Sequence, residues 1–171
     1  MDDLKKLVRD IPDFPKPGII FKDITPLLGS GKYFRRTIKA FEDSVSNIEV
    51  NKILGAEARG FILAAPLAIK LKAGFIPARK PNKLPFQTIS QSFALEYGTD
   101  SFEIHTDSIL KNENILIVDD VLATGGTAEA MAKLVEQLGG KVVGFRFLIE
   151  LTFLKGIEKI KNYDVHSLIK Y

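Results

Sequence analysis

The sequence predicts an α/β fold in which a mainly parallel, twisted sheet is flanked by helices. The first observation is that short apolar runs of strand length alternate with stretches of helical periodicity, the pattern of parallel βα units. The second is the run Ile115-Leu116-Ile117-Val118, which is typical of a parallel strand buried on both faces. The third is that no repeat or linker interrupts the 171 residues, so one domain spanning residues 1–171 is expected.

The N-terminal segment predicts a short amphipathic helix followed by an irregular stretch. The helix rests on the apolar residues Leu4, Leu7, Val8 and Ile11. The three prolines within residues 12–18 exclude a helix there and indicate an extended loop. A second helix is expected to begin between residues 30 and 32, because apolar residues then recur at helical spacing.

The central part of the chain predicts two strands joined by a helix, and then a hairpin. Residues 53–56 and 75–79 are the apolar strands, and residues 61–72 have the composition of the connecting helix. Apolar and polar residues alternate over 88–95 and again over 101–106. This alternation predicts a β-hairpin or a flexible arm.

The C-terminal part contains the two strongest strands, 115–120 and 142–149. A helix over 128–138 joins them and ends at a pair of glycines. The tail, 151–171, is expected to be a short mixed segment. The sheet core is therefore expected over about 31–150, with residues 1 to about 30 and the tail packed together as a small hood.

Composition narrows the classes of function. The formal net charge is +3 and the cations are dispersed, which gives weak support to anionic small-molecule ligands and little to nucleic acid. The absence of cysteine excludes disulfides, thiolate metal sites and a cysteine nucleophile. His105 and His166 lack metal-ligand spacing, so we expect both to be structural or surface residues. Without a secretory signal or a bilayer-length apolar run, we expect a cytoplasmic protein with no membrane contact.

The most informative stretch is residues 118–127, which join the buried strand to the helix that follows. Asp119 and Asp120 stand at the carboxyl end of this strand, where open α/β sheets bind ligands. Gly125 and Gly126 allow a tight turn, and the unpaired N–H groups of the helix start favour an anion. Carboxylates repel phosphate but suit hydroxyls, Mg²⁺ or a developing cation, so the segment predicts a site for a ribose 5-phosphate. The alternative is a βα turn with an N-capping threonine and no ligand.

Other charged residues follow the ends of the predicted strands. Arg59 is expected to fork onto a second phosphate group, or else to form a surface ion pair. Arg79, Lys80 and Lys83 predict a polyphosphate clamp, with a solvated basic loop as the alternative. Glu96 lies in the predicted hairpin and is a candidate general acid, or otherwise a carboxylate of the turn.

Several segments together identify a family. Residues 118–127 resemble the phosphoribosyl pyrophosphate signature of type I phosphoribosyltransferases. Nearly the whole chain is similar to the adenine phosphoribosyltransferases, through the motifs at residues 12–24, 57–61, 79–85, 95–98 and 150–156. The resemblance implies the type I phosphoribosyltransferase fold with a hood and a flexible hairpin loop. It also implies transfer of the 5-phosphoribosyl group from phosphoribosyl pyrophosphate to adenine, a purine salvage reaction that gives AMP and pyrophosphate. Mg²⁺ and a homodimer are expected.

The resemblance also implies a role for each matching position. Asp119 and Asp120 would meet the ribose hydroxyls, and Glu96 would protonate the base. A non-proline cis peptide is expected at Glu57–Ala58, and Mg²⁺ would be held mainly by substrate and water rather than by protein ligands. The remaining positions divide into three sets: Ala123, Thr124, Gly125, Gly126 and Thr127 for the 5-phosphate; Arg59, Arg79, Lys80 and Lys83 for the pyrophosphate, some of them across a dimer interface; and Ile20, Phe21 and Lys22 for adenine.

The chain departs from the family pattern at two positions, and two other functions remain open. Lys22 stands where arginine is frequent, and Asn82 stands where glycine is common. One alternative is a xanthine or hypoxanthine–guanine phosphoribosyltransferase. The other is a transcriptional regulator that senses phosphoribosyl pyrophosphate without catalysis. The absence of room for a DNA-binding module argues against the regulator.

Overall fold

The computed structural model describes residues 2–94 and 99–171. In chain order its elements are α1 (Asp2–Lys5), β1 (Arg9–Pro12), β2 (Ile20–Asp23), α2 (Thr25–Gly29), α3 (Gly31–Ser44), β3 (Lys52–Ala56), α4 (Arg59–Leu71), β4 (Gly74–Ala78), β5 (Thr88–Ala94), β6 (Thr99–His105), β7 (Asn114–Leu122), α5 (Gly126–Gln137), β8 (Lys141–Glu150) and β9 (Val165–Lys170). Two short 3₁₀ helices, Thr152–Leu154 and Gly156–Ile160, connect β8 to β9.

Five strands form a wholly parallel sheet in the order β4-β3-β7-β8-β9. The central strand β7 alternates between the two faces. Ile115 and Ile117 pack toward α5 and the β5–β6 hairpin, whereas Leu116 and Val118 pack in the second core with α3 and α4. Both faces are therefore buried, which explains the unbroken apolar run. The predicted α/β fold with a parallel sheet is confirmed.

The β5–β6 hairpin predicted from alternation is present and antiparallel, with Thr88 opposite His105 and Ala94 opposite Thr99. It packs on α5, where Gln137 Nε2 donates to Gln91 Oε1 at 2.8 Å. Leu95, Glu96, Tyr97 and Gly98 lie outside the described residues.

The structure corrects two sequence expectations. The first helix ends at Lys5, and Ile11 lies instead in β1, opposite Phe21 of β2. Pro12 closes this short strand, and pairing with β2 outweighs the helical spacing of the apolar residues. The tail, expected as a mixed segment, contributes β9 to the main sheet, parallel to β8. The division of the chain into hood and core stays a prediction.

No helix among residues 2–94 and 99–171 is both long and apolar enough to cross a membrane.

Candidate active site

A cavity of about 400 Å³ lies at the carboxyl ends of β3 and β7, beneath strand β2. This is the edge at which parallel α/β sheets bind ligands. The walls come from separate parts of the chain: Ile19 to Lys22, Ala56 to Arg59, Lys80, Phe102, Asp119 to Val121, Ala123, Thr127 and Leu151. The structure thus brings strand β2, the acidic pair and the start of the glycine loop to one place.

The acidic pair is buried at the end of β7. Asp119 is 8% exposed and Asp120 is 5% exposed. The backbone N–H of Asp120 donates to Oδ1 of Asp119 at 2.9 Å, which fixes the first carboxylate. A side chain at Gly60 would not fit beside it, since a Cβ there would lie 2.7 Å from Oδ1 of Asp119.

Burial controls the titration of this pair. Burial raises the pKa of Asp119 well above its ordinary value, and the neighbouring Asp120 carboxylate raises it further. Burial also raises the pKa of Asp120, although the positive charge of Arg59 opposes this shift. A cationic group arriving in the cavity would therefore find two carboxylates whose charge the protein only partly compensates.

Arg59 connects the acidic pair to strand β2. Its Nε lies 2.7 Å from Oδ2 of Asp120, and its guanidinium lies 4.7 Å from the ring centroid of Phe21. The buried Nη1 of Arg59 makes no hydrogen bond within the described part of the chain. Polar atoms left unsatisfied in a cavity indicate partners supplied by a ligand. The expected non-proline cis peptide between Glu57 and Ala58 is present.

The glycine loop lines a second, smaller cavity of about 60 Å³ beside the acidic pair. Gly125 has a φ of 79°, a left-handed conformation that favours glycine, and it immediately precedes α5. No side chain caps the start of this helix, so its first N–H groups lack side-chain partners, an arrangement that is suited to an anion. All five residues predicted for a phosphate lie here together: Ala123, Thr124, Gly125, Gly126 and Thr127.

The basic loop after β4 is held by Glu57. This carboxylate accepts from Nε of Arg79 at 2.7 Å and from the backbone N–H of Lys80 at 2.9 Å. Although burial opposes it, these two hydrogen bonds lower the pKa of Glu57 below its ordinary value. Among the predicted clamp residues, Lys80 lines the main cavity with Arg59, whereas Arg79 and the exposed Lys83 lie outside its walls.

Lys80 is itself fixed by the hairpin. Its ammonium group forms an ion pair with Asp100 and lies 4.2 Å from the ring centroid of Phe102. Phe102 stacks on Phe93 of the opposite strand, with the two rings 6° from parallel. Strands β5 and β6 therefore place a cation at the wall of the cavity.

Strand β2 presents its backbone rather than the charge of Lys22 to the cavity. Nζ of Lys22 is turned away to Asp10, at 2.7 Å, and to the ring of Tyr171, 3.8 Å from the centroid. Phe21 is supported edge-on by Phe14, with centroids 5.2 Å apart. Because the Lys22 side chain is turned away in this way, a lysine where arginine is frequent does not alter the charge at the cavity wall.

Other sequence candidates lie elsewhere. Glu96 falls outside the described residues. His105 packs against Phe86, and His166 is exposed on β9; neither lines the cavity. Across the described ranges, no group of three or more His, Asp or Glu side chains could hold a metal ion.

Sequence reasoning gave no role to three residues that shape the site. Glu57 belongs to the motif at residues 57–61, and its position at a strand end is the available signal. Asp100 carries no signal, because it acts on Lys80 across the hairpin; Leu151 lies within the motif at residues 150–156, but nothing near it indicates that the tail reaches the cavity.

Comparison with known proteins gives one family throughout. Residues 30–168 match the profile of the phosphoribosyl transferase domain. The chain is 56% identical to the adenine phosphoribosyltransferase of Maridesulfovibrio salexigens, over 98% of both chains. The crystal structure of adenine phosphoribosyltransferase from Thermoanaerobacter pseudethanolicus is 52% identical and covers 99% of both chains, with a TM-score of 0.98. The Saccharomyces cerevisiae adenine phosphoribosyltransferase, complexed with an imino-altritol bisphosphate and adenine, is 39% identical, with a TM-score of 0.92, and covers 98% of this chain and 97% of its own.

Proposed function

Because the chain belongs to the adenine phosphoribosyltransferase family and transfers the 5-phosphoribosyl group from phosphoribosyl pyrophosphate to adenine, giving AMP and pyrophosphate, we propose that this transfer takes place in the cavity at the end of β7. One observation carries the proposal. The buried pair Asp119 and Asp120 lines the main cavity together with β2, and Asp119 also lines the smaller cavity at the uncapped start of α5. This order matches a phosphate, a ribose and a base.

The glycine loop is suited to the 5-phosphate. The N–H groups from Ala123 to Thr127 provide donors, and the helix dipole of α5 favours negative charge. Asp119 and Asp120 then accept hydrogen bonds from the ribose hydroxyls, since carboxylates are acceptors and repel phosphate. Both carboxylates line the main cavity, which supports this role.

Arg59 and Lys80 are suited to the pyrophosphate group because both cations line the cavity. Arg59 would exchange its contact with Asp120 for the leaving group, to which a guanidinium can bind in a bidentate way. Arg79 and Lys83 lie outside the cavity of their own chain, and we propose that they reach the pyrophosphate site of a partner copy in a homodimer.

Phosphoribosyltransferases generally use Mg²⁺ with phosphoribosyl pyrophosphate. The donor set here fits a loosely held ion: Asp119 and Asp120 provide the oxygen atoms that Mg²⁺ prefers, but the described residues contain no larger cluster. Substrate and water would therefore supply most of the ligands. When bound, the ion neutralises charge on the departing pyrophosphate.

Adenine fits between β2 and Leu151. Backbone groups of Ile20 and Lys22 would read its polar edge, and Phe21 and Leu151 provide apolar surface for its faces. Glu96 remains our candidate for protonating the base. The related yeast enzyme, whose structure contains adenine, supports a base site in this fold.

The chemistry follows from these positions. The bond between the anomeric carbon and the pyrophosphate oxygen breaks, and the electron pair leaves with pyrophosphate. A ring nitrogen of adenine forms the new bond, and the ring loses a proton to water. The anomeric carbon becomes positive in the transition state, as in glycoside hydrolysis, and the carboxylates of Asp119 and Asp120 stabilise that charge. Positioning and the exclusion of water supply the rest of the rate.

A pyrophosphate-release assay with adenine, hypoxanthine, guanine and xanthine in parallel tests the proposal. We expect release with adenine and little with the other three bases. Faster release with hypoxanthine or guanine would instead indicate the hypoxanthine–guanine enzyme. Binding of phosphoribosyl pyrophosphate without adenine-dependent release would indicate the sensing regulator.

A further inference from the structure

The tail passes directly behind the glycine loop. Gly156 is buried at the start of the second 3₁₀ helix, with its backbone against that of the loop. A Cβ on Gly156 would lie 2.1 Å from the carbonyl oxygen of Ala123 and 2.8 Å from the backbone nitrogen of Gly125. The fit is reciprocal, since a Cβ on Gly125 would lie 2.3 Å from the carbonyl oxygen of Gly156.

We propose that Gly156 is a positioning residue for the phosphate-binding loop, although it lies 29 or more residues away in the chain. The inference rests on the proposed function, because it concerns the loop assigned there to the 5-phosphate. Gly156 contacts no substrate. It acts by allowing the backbone of the tail to support the loop from the side opposite the ligand.

The tail can support the loop because it is fixed on both sides of Gly156. Before it, the backbone N–H of Thr152 donates to the carbonyl of Tyr171 at 3.0 Å, and Leu151 donates to Leu122 at 2.9 Å. After it, Ile160 is 1% exposed within the core beneath α5. With its flanks held in this way, the tail cannot move aside, so the loop must.

The size of the displacement follows from ordinary contact distances. Nonbonded heavy atoms pack at about 3.5 Å, so a Cβ at 2.1 Å from a carbonyl oxygen requires a shift of roughly 1 Å. A misplacement of about 1 Å in a positioned site can cost on the order of 100-fold in rate. We therefore expect Gly156→Ala to lower kcat/KM for phosphoribosyl pyrophosphate by about 10-fold to 100-fold, and to do so through a higher KM because the displaced loop binds the 5-phosphate.

The segment also joins the two ends of the site. Leu151 lines the base end of the main cavity, and Gly156 supports the phosphate end. Only the phosphate end should respond to a side chain at 156, because Leu151 is held separately by Leu122. A change confined to one substrate distinguishes positioning from general damage to the fold.

Gly156→Ala is compared with Gly29→Ala and with the wild-type chain. Gly29 is the matched control, since a Cβ there would have no atom within 4 Å. The measurements are KM for each substrate, binding of ribose 5-phosphate by calorimetry, and the unfolding temperature. We expect Gly156→Ala alone to lose affinity for phosphoribosyl pyrophosphate and ribose 5-phosphate, with KM for adenine close to that of Gly29→Ala, while overpacking lowers its unfolding temperature.

Normal KM for phosphoribosyl pyrophosphate in folded Gly156→Ala would overturn the inference, and so would an equal rise in KM for both substrates. Failure of the wild-type chain to release pyrophosphate with adenine would overturn the proposed function instead. If Gly156→Ala does not fold, amide hydrogen exchange on the wild-type protein decides. Ribose 5-phosphate should slow exchange around residues 154–158 as well as in the loop, and protection confined to the loop would contradict the proposal.

Discussion

Removing the charge of Asp120 while keeping its shape tests the centre of the site. In Asp120→Asn the side chain keeps its size, and Asp119 still accepts the neighbouring backbone N–H. What is lost is one negative charge, 5% exposed, in the wall that we propose faces the anomeric carbon. Because that carbon is positive mainly in the transition state, the substitution should lower kcat rather than raise KM.

The magnitude follows from Coulomb's law. A unit positive charge about 5 Å from the carboxylate, at an effective dielectric constant of about 20, is stabilised by about 3 kcal/mol. A loss of about 3 kcal/mol corresponds to a rate roughly 200-fold lower. Loss of a single preorganised partner in other enzymes costs about 10² to 10³ in kcat, a range that includes this value.

Steady-state release of pyrophosphate with saturating adenine measures the effect, and His105→Ala is the control. His105 lies outside the cavity, packed against Phe86, so its removal should change kcat by no more than about threefold. KM for phosphoribosyl pyrophosphate should not rise in Asp120→Asn, because Arg59 is freed from its ion pair. Near-normal kcat in both variants would refute the assignment of the acidic pair.

Three further predictions concern stability and the base end. Asp119→Asn should raise the free energy of unfolding at neutral pH. Because the pKa of Asp119 is raised in the folded state, wild-type stability falls as pH rises above about 4, and denaturant titrations should show a gain for the variant that grows as pH rises from there. Arg146 is 1% exposed and donates five hydrogen bonds. Arg146→Lys should lower the free energy of unfolding, measured by thermal unfolding, by about 3 kcal/mol or more. This loss should exceed that of Arg146→Met, because the half-exposed carboxylate of Asp164 can be hydrated. Tyr171→Ala should raise KM for adenine by about 3-fold to 10-fold through loss of the contact with Lys22, with Tyr171→Phe unaffected.

The parts of the fold that were predictable from sequence are those set by local patterns. The apolar run of β7, the acidic pair and the two glycines lie within about a dozen consecutive residues, so the strand, loop and helix start could be read without knowledge of the rest. The hairpin followed in the same way from alternation. The first helix was wrong because its apolar spacing continued into Ile11, where pairing with Phe21 decides the structure.

The parts that were not predictable depend on contacts between distant segments. Nothing near Glu57 in the sequence indicates that it holds Arg79, 22 positions away. Asp100 and Lys80 meet only because the hairpin folds back beside β4, where Arg79 pairs with Glu103. Gly156 is one of 13 glycines in the chain, and its importance comes from the loop that lies against it.

The acidic pair lowers the stability of the fold at the position where the proposed transfer needs negative charge. Burial raises the pKa of both carboxyls, so the folded state disfavours their ionised forms, and of these two carboxylates only that of Asp120 has an ion-pair partner among the described residues. Neutral side chains of similar size at 119 and 120 would fold more stably. A ribose whose anomeric carbon becomes positive benefits from these same uncompensated charges, because the protein need not reorganise to supply them. The instability of the empty cavity and the stabilisation of the transition state therefore have one cause, and Asp119→Asn should gain the first only by losing the second.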